Sequence, residues 1–275
     1  MQPLKKPILA ALSIIITLHL ALSLPAEAAA AMQWSSSQQA AVDRATAVDA
    51  TLRSKLGTLY SNFTELQGQL QQTDQNISSL HYKNEEMQTA LTQQVKTIDA
   101  DKITGMDAAV KQAKDKYKPL LATYTALNQQ ITVANKLKNK QLSSTLKTQA
   151  DTLKIVVQVA KADIKNKEQA LAAAKTKRTT SQKKIRSILA GADPLRIKIK
   201  AEKSTATSLN KNISPLWNGV TQSVKSADAK KIYNDLNTLV SQLRQIQTQK
   251  QKIITLENQI SSILQNAKSQ LAQLK

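Results

Sequence analysis

The chain has 275 residues, 41% of them hydrophobic but only 3% aromatic, with no cysteine and a formal net charge of +20 at pH 7. That length admits one long bundle or two short ones, and a single Phe leaves little to fill a thick sandwich or barrel core. Absence of cysteine excludes disulfides, thiolate-bound zinc, thiol nucleophiles and a lipidated N-terminal Cys.

The N-terminal stretch reads as an address. Lys5 and Lys6 precede an apolar run from Ile8 to Leu24, Pro25 breaks it, and Ala26-Glu27-Ala28 sets small residues at the two positions a signal peptidase reads. Residues 1–30 are thus expected to be a signal peptide cleaved near Ala28 to Ala31, the alternative being an uncleaved membrane anchor, which His19, Ser13 and Thr17 within the run disfavour. The exported product would be secreted or envelope-associated, and a disulfide-free exported chain suits a bacterial wall or periplasm.

From Leu52 the seam residues alternate steps of four and three: Leu52, Leu56, Leu59, Phe63, Leu66, Leu70, Thr73, Ile77, Leu80, Asn84, Met87, Leu91. A sustained 3.5-residue period specifies left-handed helix packing, so one long helix is expected from about Gln38 to Ile98, needing partner helices. Thr104-Gly105-Met106-Asp107 has the composition of a helix break and restart. The seam resumes through Val110, Ala113, Tyr117, Leu120, Tyr124, Leu127, Ile131 and Ala134, carrying through Pro119. It loses phase around Leu137 to Leu142, so Lys138-Asn139-Lys140 is either a tight turn or a coiled-coil stutter, and the turn is preferred. A further helix with Leu146, Leu153, Val156, Ala160, Ile164 and Leu171 reaches the break at Gly191-Ala192-Asp193-Pro194.

After Leu195 a helix, a Pro-Leu step and a turn at Ala227-Asp228 lead into a long final helix whose seam runs through Leu236, Leu239, Leu243, Ile246, Ile253, Leu256, Ile260, Ile263, Leu264 and Leu271. Tyr117-Lys118-Pro119-Leu120-Leu121 resembles Ile213-Ser214-Pro215-Leu216-Trp217, which suggests two related hairpins, 106–190 and 195–275; chance likeness between two basic helical segments is the alternative. The fold class expected is all-α, an elongated antiparallel coiled-coil bundle of about four to five helices. Residues 31–105 form its near-neutral coiled-coil helix and 106–275 its basic bundle.

Charge divides unevenly along the chain. Residues 1–105 hold 8 Lys/Arg against 9 Asp/Glu, whereas 106–275 hold 31 against 10. Such asymmetry points to a basic surface directed at a polyanion. Lys140, Lys147, Lys154, Lys161 and Lys175 fall at seven-residue steps, interrupted by Glu168, so they form one stripe beside the seam. With Lys165, Lys177, Arg178, Lys183, Lys184, Arg186, Arg196, Lys198 and Lys200, they are the candidate polyanion-binding residues. Against this stands a solvated flank whose lysine stems merely cover the seam.

An anionic cell-wall polymer or anionic envelope surface suits an exported, Lys-rich track, because lysine acts as a point charge and demands no bidentate geometry. Nucleic acid is disfavoured by export and by the wide spacing of Tyr117, Tyr124, Trp217 and Tyr233. The plan of signal peptide followed by basic helical bundle resembles the wall-anchoring N-terminal regions of some bacterial surface-layer proteins. It is also similar to the coiled-coil regulatory regions of peptidoglycan hydrolases. Both likenesses are architectural and carry no residue-by-residue motif.

Catalytic chemistry finds little support. His81 is the only histidine beyond the signal, the five glycines stand apart, and Asp99 and Asp101 suit a helix end better than a cleft. The segment His81-Tyr82-Lys83-Asn84-Glu85-Glu86 reads as exposed helix, and no cofactor or metal is expected. A non-enzymatic envelope-binding protein is therefore the first reading. The alternative is a structural scaffold or adaptor that joins another coiled-coil protein, or itself, through Leu52–Ile98.

Overall fold

The computed structural model describes residues 32–274. Among these residues the chain is all-α and comprises seven helices: α1 (Ser36–Ala45), α2 (Ala50–Thr97), α3 (Ala100–Lys136), α4 (Lys140–Ala190), α5 (Asp193–Asn210), α6 (Ile213–Lys225) and α7 (Ala229–Ala272). Within each compact unit the helices pack side by side along the predicted seams, with α3 against α4 and α5 against α7 antiparallel. The expected signal peptide and cleavage site fall outside the described residues. No helix among the described residues is long and apolar enough to cross a membrane.

Two helix boundaries differ from the sequence reading. The single helix expected from Gln38 is divided: the chain leaves α1 at Thr46, and Asp49 caps α2 by accepting the Leu52 backbone N–H at 2.8 Å. Arg53 ties the corner together, donating to the Asp43 carbonyl at 3.1 Å and to Thr46 Oγ1 at 3.3 Å. The second break lies at Asp99, not at Thr104-Gly105, which sits within α3. Asp99 adopts a left-handed conformation, φ 51°, which resets the helix between the seam residues Ile98 and Ile103. Asp tolerates that conformation through its short polar side chain, so no glycine marked the spot.

The turn at Lys138-Asn139 forms as expected. Lys138 is left-handed, φ 54°; its N–H reaches the Asn135 carbonyl at 3.1 Å, and the Asn139 N–H reaches that of Ala134, also at 3.1 Å. This pairing ends α3 by satisfying its last carbonyls. Asn139 Oδ1 then accepts the Leu142 N–H at 3.0 Å and starts α4.

Two compact units emerge. One comprises, among the described residues, 32–79 together with 198–255. In it the first part of α2 packs with α5, α6 and the first part of α7, and α1 lies against α6. Aromatic residues gather here: the Trp34 and Tyr60 rings stack at 4.0 Å, and Phe63 stacks on Trp217 at 5.2 Å. Phe63, Ile213, Ile232, Leu236 and Leu239 are fully buried.

Inside this unit α2 and α7 run in the same direction, since Thr73 meets Gln247 at 3.0 Å and Asp74 meets Lys250 at 2.6 Å. α5 runs against α7, as Lys252 with Glu202 and Gln242 with the Leu209 carbonyl show. Lys250 occupies a seam position of α7 between Ile246 and Ile253, and its ammonium grips both Asp74 oxygens, at 2.6 and 2.7 Å. Burial pushes the Asp74 carboxyl above its ordinary range, more than the hydrogen bond from Lys250 pulls it down.

The other unit comprises 80–197 and 256–274. α3 and α4 form an antiparallel hairpin, with Lys114–Glu168 and Lys175–Asp107 ion pairs across it and Ser143 bonded to Asn135 near the turn. The ends of α2 and α7 pack against α4: Gln182 donates to the Val95 carbonyl at 3.0 Å and Lys184 to Gln270 at 2.7 Å. α7 passes beside Gly191, where a Cβ would meet Ile263 Cδ1 at an ordinary 3.7 Å and the Ile188 carbonyl oxygen of its own turn at 3.1 Å.

Two stability measurements follow. Asp74→Ala strands a buried ammonium and should cost about 3 kcal/mol in urea unfolding, whereas the double change Asp74→Leu/Lys250→Leu should lie within about 1 kcal/mol of the parent. Lys138→Gly and Ala227→Gly remove side chains from left-handed positions, φ 54° and 53°. Each should raise stability by about 1 kcal/mol in the same assay.

Candidate functional site

α4 buries Ser143, Ala150, Val157, Ala160, Leu171, Ser181 and Ile185. The seam thus keeps its 3.5-residue period through α4, and Val157 fills the place expected for Val156, which is exposed. One position beyond Leu146, Leu153, Ala160 and Ala174 stand Lys147, Lys154, Lys161 and Lys175, all exposed along one flank. Lys140 opens the helix at the hairpin turn, and Lys165 and Arg186 lie on the outward side of the same flank, also exposed.

The remaining candidates do not join this row. Arg178 donates to the Lys96 carbonyl at 2.9 Å and Lys184 to Gln270, so both link helices. Arg196 is half-buried and holds Glu85 Oε1 at 2.9 Å and Gln88 Oε1 at 2.6 Å, with Asp193 at 3.6 Å. Lys177 and Lys183 are exposed on other sides of α4. Lys198 and Lys200 are exposed on α5 and belong to the other unit.

Sequence reasoning missed the contribution of α3. Lys114 pairs with Glu168 at 2.6 Å and Asp107 with Lys175 at 3.3 Å, which puts α3 beside the lysine row. Lys111 and Lys118, each one turn from Lys114, are exposed on that side. Heptad positions assigned to both helices in antiparallel register would have found them. The opposite flank carries Asp163, whose carboxyl Lys167 at 2.5 Å holds below its ordinary range despite some opposing desolvation.

His81 is not simply exposed. Its Nδ1 lies 3.1 Å from Glu257 Oε1, and the buried Asn84 amide donates to Glu257 Oε2 at 2.8 Å and to its carbonyl at 2.9 Å. Ser261 Oγ bonds Asn84 Oδ1 at 2.6 Å. A buried carboxylate on a heptad seam thus acquires partners from the parallel helix, as burial of a charge requires. Among the described residues no group of three or more His, Cys, Asp or Glu is placed to hold a metal ion.

Comparison of the chain with family models, curated proteins and solved structures finds no match. Arg196→Ala should lower stability by about 1 kcal/mol, because charge-assisted hydrogen bonds are lost at a half-exposed site. Lys154→Ala should leave stability within about 0.5 kcal/mol, and thermal unfolding separates the two.

Proposed function

We propose that the protein is an exported, non-enzymatic component of a bacterial cell envelope that binds an anionic wall polymer through the basic flank of the α3–α4 hairpin. One observation carries this reading: Lys140, Lys147, Lys154 and Lys161 line a single exposed flank, with no ion pair to an acid among the described residues. Lys111 and Lys118 widen it from α3. Six lysines and no acid lie between residues 116 and 150. A row of point charges suits a flexible polymer whose carboxylates or phosphates repeat without fixed geometry. The export signal expected from residues 1–30 supports this reading, since it would carry the protein to where such polymers occur.

Binding of this kind weakens with salt, since exposed charges are screened over about 8 Å at physiological ionic strength. The triple change Lys147→Gln/Lys154→Gln/Lys161→Gln should reduce co-sedimentation with purified wall material at least tenfold at low salt and flatten its salt dependence. Circular dichroism should remain unchanged. Binding that ignores both salt and the triple change would refute the proposal.

A further inference from the structure

Where α7 accompanies α4 it covers the flank opposite the lysine row. Lys184 and Gly191 meet α7, whereas Gln182, on the lysine side, meets α2. The seam closes there: Ile185 and Leu264 are 0% exposed. α7 ends at Ala272, level with that stretch of α4. Nearer the turn, the hairpin proceeds with two helices among the described residues. Its seam residues Tyr117, Leu120, Tyr124, Leu146 and Leu153 are only half-buried.

The flank that α7 covers lower down continues toward the turn as an exposed apolar strip. Leu137 is 71% exposed, Val156 50% and Val159 62%, joined by Val133 and Leu142. These five share the heptad positions on α3 and α4 that lie on the α7 side of the seam. Between them stand Ala126, Gln130, Thr145, Gln149 and Thr152, also exposed. No charged residue occupies this flank from Pro119 to Leu137 or from Leu142 to Val159, although residues 100–190 carry 19 Lys/Arg against 6 Asp/Glu.

We propose that this uncharged flank is the docking surface for a second copy of the chain, hairpin against hairpin, which completes the seam α7 leaves open. Two features choose a second copy over an acidic partner or an anionic lipid surface. The flank is electrically neutral, so it complements itself, and its Thr and Gln side chains both donate and accept hydrogen bonds. The lysine rows lie on the opposite flank of each hairpin, where they do not meet in the pair; an acidic partner or lipid surface would call for lysines at the contact. The strip extends about 27 Å along α3, from Pro119 to Leu137, enough for several layers of a four-helix contact. The association expected through Leu52–Ile98 has no such opening, because Leu56, Phe63, Ile77, Leu91 and Val95 are buried within their own chain.

Sedimentation equilibrium of the protein should give twice the chain mass. Val156→Lys/Val159→Lys should give the monomer with unchanged helicity, since both side chains are exposed. The absence of native cysteine allows a second measurement. Single replacements Thr145→Cys, Thr152→Cys and Val159→Cys should include at least one that cross-links two copies through a bismaleimide, while Lys154→Cys should not. The triple lysine-row variant should remain dimeric, which separates this proposal from polymer binding. A wild-type monomer, a dimer surviving the double lysine change, or cross-linking confined to Lys154→Cys would overturn it. So would a monomer that gains mass only with anionic vesicles.

Discussion

Helix packing along a 3.5-residue seam is the constraint on which the rest of this molecule depends. With one Phe and few other aromatics, the chain cannot build a broad core, so each long helix must press a narrow apolar stripe against its neighbours. α2 presents Leu56, Phe63, Leu70, Ile77 and Leu91; α7 presents Leu236, Leu243, Ile253, Ile260 and Leu264. Those stripes close where three helices meet. In the hairpin, where two meet, they stay partly open.

Polar residues set into the seams give direction and register to otherwise similar stripes. Apolar heptads alone allow α2 and α7 to slide by seven residues or to reverse. Within one unit, the Thr73–Gln247 and Asp74–Lys250 contacts admit a single alignment, and Glu257 with His81 and Asn84 does the same in the other. A slip would bury the charges of Lys250 and Glu257 without partners, at a cost of several kcal/mol. These groups therefore act on specificity more than on net stability.

The hairpin segregates its side chains by flank. One flank collects lysines from α4 and α3, and the other is apolar and uncharged near the turn. Because helical geometry assigns each heptad position to a fixed side, this division is encoded in residue spacing and becomes a surface only once α3 and α4 are paired. The proposed polymer-binding row and the proposed self-association face thus use different residues of one hairpin.

The all-α class, the seam of α2, the turn at Lys138-Asn139, the turn at Ala227 and the lysine row were legible in the sequence. Each follows from local periodicity or from short-range composition. The break at Asp99 was not, because a left-handed Asp carries no glycine signal and the nearby Gly105 mimics one. Lys250 and Glu257 gave no local signal of a buried role; their partners lie more than 170 residues away, and only chain packing brings them together. Arg178, Lys184 and Arg196 likewise counted as free cations until tertiary contacts engaged them. Period and charge along the chain thus determined which faces each helix would have, whereas which faces are covered was decided by three-dimensional packing, because burial depends on neighbours that no local pattern names.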